Sequence, residues 1–222
     1  KIYFAIIAII GVISLTSCDP DMLNTKSTYQ VGSANVWEKA SLARLAVNGI
    51  YSEFYQRSST TSNEDNWRVM YEAYSSVMDT DRNWYENQKV CYGDGTPASG
   101  TFSNMFKYYY TFVYRANDVI SHIDQVPDME PEEKAKLKAE AKFLRAYGYF
   151  NLNVLWRGVP LYLEYIEDAA KANKPRSAEN EVWQAIIDDL TDCINEANLP
   201  DRYAAGDGDY GRVTKGAAYA YR

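Results

Sequence analysis

The chain has 222 residues, 23 of them basic and 30 acidic, for a formal net charge of −7. That length suffices for one substantial core, and the acidity argues against nucleic acid as a partner, because phosphate contacts need a basic surface. One histidine and three cysteines show no Cys/His spacing of a structural zinc site.

The first element is an export signal. Lys1 precedes an apolar run, Ile2 to Leu15, and then Thr16, Ser17 and Cys18. A positive start, a short apolar run and small residues describe a secretory signal peptide. The run falls short of the roughly 20 apolar residues that span a bilayer. Leu15-Thr16-Ser17-Cys18 resembles a bacterial lipobox. Residues 1–17 are therefore expected to be removed, leaving Cys18 lipid-modified and anchored in outer-membrane lipid by its acyl chains. Residues 18–32 form an acidic tether. Asp19 and Asp21 resemble the surface-export signal of Bacteroidetes lipoproteins, which implies a body facing the cell exterior. Cys91 and Cys193 either pair with each other or stay as two buried thiols.

Residues 33–222 read as helical almost throughout. In 33–57, Val36, Ala40, Ala43, Val47, Ile50 and Phe54 recur at steps of four and three, one face of a helix. Ser33 is its expected N-cap. Residues 58–103 break the pattern: a polar stretch, a short helix from Trp67 to Met78, and a Gly/Pro/Ser-rich loop from Asp94 to Gly100. Helix returns over 104–125, with Tyr108, Phe112, Val119 and Ile123 on one face, and Val126-Pro127-Asp128 stops it.

Pro131, Glu132 and Glu133 open the next helix, which runs to about Trp156. It carries two stripes: Leu137, Ala141, Leu144, Gly148 and Leu155, and then Phe143, Tyr147, Phe150 and Val154. Two stripes predict packing on two sides, and Ala141, Ala146 and Gly148 predict close approach. Arg157-Gly158-Val159-Pro160 ends the helix. Leu161 to Ile166 is expected to be a short strand or a buried crossing, and Lys171 to Arg176 a linker. Ser177 is expected to cap a helix over 178–198, with Val182, Ile186, Leu190 and Ala197 inward. Arg202 to Gly211 reads as loop, and Thr214 as the cap of a further helix. The fold class is all-α: degenerate tetratricopeptide-like helical repeats with a long, irregular, aromatic-rich insertion. The helical pattern that begins at Lys215 has no stop signal before Arg222, which predicts a fragment.

Four segments resemble the RagB/SusD family of outer-membrane nutrient-uptake lipoproteins. AEAKFLRAYGYFNLNVLWRGVPLYLE, residues 139–164, is similar to the family's Ala-Glu-Ala-Arg-Phe-Leu-Arg-Ala-x-x-Tyr-Phe helix and its Gly-Val-Pro-Leu turn. Lys142 replaces the usual arginine, and Arg157 precedes Gly158. PRSAENEVWQAIIDDL, residues 175–190, resembles Arg-x-Ser-x-x-Glu-Val-Tyr-x-x-Ile-x-x-Asp-Leu, with Trp183 for tyrosine. GRVTKGAAYAYR, residues 211–222, resembles Gly-Arg-Ala-Thr-Lys-Gly-Ala-Ala. YYYTFVYRANDVI, residues 108–120, adds Tyr-x-x-Ile-x-Arg-Ala-Asn, with Val113 for isoleucine. The resemblance implies a fragment of a larger SusD-like fold and a non-enzymatic role. Such a protein captures oligosaccharides, or in some members peptides, and passes them to a SusC-like TonB-dependent transporter. An adaptor that binds only protein partners is the alternative.

Sugar capture calls for aromatic faces against ring faces and polar groups at the hydroxyls. The insertion supplies both: Trp67, Tyr71, Trp84 and Tyr85 interleave with Asp81, Arg82 and Asn83, and these seven are the candidate ligand contacts. Core packing is the competing role for each ring. Asp79-Thr80-Asp81-Arg82-Asn83 resembles the start of a calcium loop, but Trp84 stands at its glycine and Val90 at its bidentate glutamate. No metal or other cofactor is expected. Arg115, Asn117 and Arg145 lie inside helices and are expected to pair structurally. His122, near a helix C-terminus, is expected to meet the helix dipole. A lone histidine provides no Ser-His-Asp or Cys-His set; thirty acidic residues leave a surface glycoside hydrolase on a helical scaffold as a further alternative, although none of them is singled out as a pair.

Overall fold

The computed structural model describes residues 35–55, 92–96 and 100–222. Among them every regular element is helical: α1 (Ala40–Tyr51), α2 (Gly100–His122), α3 (Pro131–Trp156), α4 (Glu179–Asn195) and α5 (Lys215–Tyr221), with short 3-10 turns between them. Trp37–Arg222 forms one unit.

The α1 stripe is as expected, with Ala40, Ala43, Val47 and Ile50 buried. The single helix expected over 33–57 is instead three pieces: 3-10 turns at Val36–Glu38 and Ser52–Tyr55 flank α1. The break at Lys39 has a tertiary cause. Lys39 is extended, and the Ala40 amide donates to the Asp128 carboxylate at 2.6 Å. Ser33 lies outside the described residues. Helix α2 starts at Gly100, four residues earlier than the pattern indicated, and passes into a 3-10 turn at Ile123–Gln125.

Helix α3 has the expected start and end, and a left-handed Arg157 (φ 52°) closes it. It is the central element. As numbers rise along α3, contacts with α2 fall, from Asn117 at Arg145 to Phe106 at Trp156. Contacts with α4 likewise fall, from Cys193 at Ala139 to Glu179 at Asn153. Both neighbours therefore run antiparallel to α3. Contacts with α1 rise together, Arg44 to Glu133 and Tyr51 to Glu140, so α1 is parallel to it. This up-down alternation is the helix-turn-helix repeat read from the sequence. Gly148 sets the α2–α3 spacing: a Cβ there would lie 2.9 Å from the Tyr109 carbonyl oxygen and 3.2 Å from Phe112 Cβ. Val154, placed on the second stripe, is 51% exposed, whereas Phe150 one turn earlier packs on Trp183 and Tyr221.

Leu161 to Ile166 is a crossing, not a strand. Helix α4 ends at Asn195, three residues early, and Ala197 is exposed. The chain turns extended at Glu196 so that Leu199 can enter the core in its place. Its N-cap is Ala178, where the Glu181 carboxylate accepts the Ala178 amide at 3.0 Å. Ser177 instead donates its amide to the Val159 carbonyl at 3.1 Å. Thr214 caps α5 as expected, accepting the Ala217 amide at 3.2 Å.

Candidate functional site

Cys18, Trp67, Tyr71, Asp81, Arg82, Asn83, Trp84 and Tyr85 all lie outside the described residues, as does Cys91. The described residues carry a helical scaffold and an aromatic feature that pattern reading did not single out.

The scaffold is locked by buried polar groups. Arg145, 6% exposed, forks onto Asp189, 5% exposed, at 2.8 and 2.7 Å. Its remaining nitrogen donates to Asn117 Oδ1 at 2.7 Å and to the Leu163 carbonyl at 2.8 Å. Burial pushes the Asp189 carboxyl upward, and the guanidinium opposes the shift. A second knot surrounds Glu140, which is fully buried. It accepts from Tyr51 at 2.8 Å and from Arg212 at 2.6 and 3.0 Å. Tyr51 in turn accepts the Val213 amide at 3.0 Å. The 211–214 segment is thereby fastened to α1 and α3. Arg115 pairs with Glu53 at 2.7 Å. The expectation of structural pairing for Arg115, Asn117 and Arg145 therefore holds. His122 ends α2, where its Nδ1 lies 2.9 Å from the Asp118 carboxylate and its ring stacks on Trp37 at 5.4 Å.

Cys193 is a free, buried thiol that donates to the Ala139 carbonyl at 3.1 Å. Burial pushes its pKa up to about 12. Among the described residues no group of His, Cys, Asp and Glu is placed to hold a metal ion, and no helix is long and apolar enough to cross a membrane.

The aromatic feature is a groove where residues 160–167 cross α2. It encloses about 380 Å3, and Tyr110, Tyr114, Tyr162 and Ile166 line it, with Glu164 and Glu167 at its mouth. The crossing segment is held rigidly. Tyr149 donates to the Tyr162 carbonyl at 2.9 Å and accepts its amide at 2.6 Å. Asn117 donates to that same carbonyl at 2.9 Å. The three phenol tips are also tied down: Tyr110 to the Pro160 carbonyl at 2.6 Å, Tyr114 to the Tyr165 hydroxyl at 3.2 Å, and Tyr162 to the Ala172 carbonyl. With their hydroxyls engaged, these rings present carbon faces. Tyr110 and Tyr114 are one helical turn apart, a spacing visible in the sequence. Their partner Tyr162 comes from a distant segment, so pattern reading could not assemble the set.

A family model described as "Starch-binding associating with outer membrane", SusD-like, matches residues 21–222. The SusD-like protein P38 of Formosa agariphila is 26% identical over 205 residues, covering 90% of this chain and 37% of that protein. A crystal structure of a SusD-like protein from Bacteroides fragilis aligns with TM-score 0.64 at 26% identity, over 84% of this chain and 34% of the other. A solved "Laminarin binding SusD-like protein" aligns with TM-score 0.70 at 25% identity, over 83% and 39%. The chain thus spans well under half the length of these relatives. The helical repeat fold, the buried motif residues and the match along nearly the whole chain agree: the chain belongs to the SusD-like family.

Proposed function

We propose that this chain is the helical part of a cell-surface lipoprotein that captures oligosaccharides without cleaving them. Cys18 carries the acyl anchor, and the tether 18–32 holds the body on the outside of the outer membrane. Trp67, Tyr71, Trp84 and Tyr85 stack on sugar rings, while Asp81, Arg82 and Asn83 bond the hydroxyls. The bound glycan passes to a SusC-like TonB-dependent transporter. The observation that carries this reading is membership in a family described as starch-binding, supported by likeness to a laminarin-binding protein. The buried charges of the scaffold also support it: Arg145, Asp189 and Glu140 are consumed in structural pairs, and none faces a cleft as a reacting group. The test is a glycan and peptide array with the complete mature protein, together with affinity capture from outer-membrane extracts. The reading expects saturable glycan binding, weakened by Trp84→Ala, and recovery of a large barrel transporter. Binding to peptides alone, or to no nutrient, would defeat it.

A further inference from the structure

We infer that the Tyr110–Tyr114–Tyr162 groove is a saccharide site built from residues other than the seven candidates of the insertion, and selective for neutral over anionic sugars. The inference rests on the proposed glycan-binding role. Its volume, about 380 Å3, falls within the roughly 300–1,000 Å3 typical of small-ligand sites. Its walls include three tyrosine rings whose hydroxyls are already bonded to the chain. Such rings offer an apolar surface of fixed orientation at little ordering cost. The C–H face of a pyranose fits that surface.

The polar groups at the mouth narrow the ligand class. Glu164 and Glu167 are exposed carboxylates. Ionised carboxylates only accept hydrogen bonds, so they suit a ligand rich in hydroxyl donors. They repel uronates and sulfated sugars. Lys174 Nζ lies over the Tyr162 ring, 5.2 Å from its centre, where it disfavours a cationic ligand and leaves the stacking to Tyr110 and Tyr114. A neutral, hydroxyl-bearing ring is what remains. The floor is pre-organised by the same bonds that fix the fold, since Arg145 holds the Leu163 carbonyl and Asn117 the Tyr162 carbonyl. No rearrangement is needed before binding.

The test is saturation-transfer NMR with titration on the complete mature protein. Neutral gluco-oligosaccharides are compared with oligogalacturonides of equal length, for wild type, Trp84→Ala, Tyr114→Ala and Glu164→Gln/Glu167→Gln. Tyr114 is 53% exposed, so its removal spares the core. The inference expects neutral-sugar binding to persist in Trp84→Ala. Adding Tyr114→Ala to that variant weakens it about tenfold, on the scale of one lost sugar-stacking ring. The Glu164→Gln/Glu167→Gln pair raises oligogalacturonide affinity, an outcome that a merely structural role would not produce. Loss of all binding in Trp84→Ala alone would overturn the groove while leaving glycan capture intact. No binding by wild type would overturn both.

Discussion

Replacing Asp189 with alanine probes the joint on which the scaffold depends. The side chain accepts two of the four hydrogen bonds donated by Arg145, at 2.8 and 2.7 Å. Without it a guanidinium only 6% exposed keeps Asn117 and the Leu163 carbonyl but loses its counter-charge. Breaking a buried pair from one side costs about 3–5 kcal/mol, against a total stability of roughly 5–15 kcal/mol for a domain. Arg145→Met with Asp189→Leu removes both charges. That leaves Asn117 and the Leu163 carbonyl short of a donor, for about 1–3 kcal/mol. The double variant should therefore be more stable than Asp189→Ala. Urea unfolding followed by circular dichroism measures all three proteins. A loss below about 1 kcal/mol for Asp189→Ala, or a double variant no better than the single, would refute the reasoning.

Gly148→Ala should destabilise by about 1–2 kcal/mol, since overpacking against the Tyr109 carbonyl outweighs the roughly 1 kcal/mol gain in helix propensity; an unchanged urea midpoint would contradict the close approach of α2 and α3. Cys193 should resist thiol reagents at mildly alkaline pH in the folded protein and react on unfolding, because its pKa is pushed up to about 12; labelling at native rates would place it elsewhere, and mass mapping separates it from Cys91. Acid should weaken the fold through Glu133 and Asp209, whose carboxyls are held below their ordinary values by hydrogen bonds from Arg44 and Lys136 respectively. A folded value below the unfolded one means that the contribution is present above about pH 4.5 and fades as pH falls through the folded value. Glu133→Gln with Asp209→Asn should flatten that decline; an unchanged slope below about pH 4.5 would exclude these pairs as its source.

The helices were legible because their signals are local. The steps of four and three in Ala40, Ala43, Val47 and Ile50 encode one buried face, and these four residues are the ones buried. Pro131 with Glu132 and Glu133 marked the start of α3 without error. Gly148 was readable as a close contact because glycine inside a helix otherwise only costs stability. What escaped reading depends on partners far along the chain. The break at Lys39 requires Asp128, and the early end of α4 requires a place in the core for Leu199. The rigid path of residues 161–166 requires Tyr149, Asn117 and Arg145 from two other helices. The burial of Glu140 is of the same kind, since its partners Tyr51 and Arg212 stand on either side of it at long range. The groove was missed for that reason, while the aromatic insertion drew notice through composition alone.

Retention of an isotopically labelled neutral oligosaccharide by the complete mature protein addresses the central claim most directly. Equilibrium dialysis reads the binding, and mass analysis of the recovered sugar reads its fate. The account predicts saturable binding with every sugar returned at its original length. Shortened products, or retention no greater than in a protein-free chamber, would contradict it.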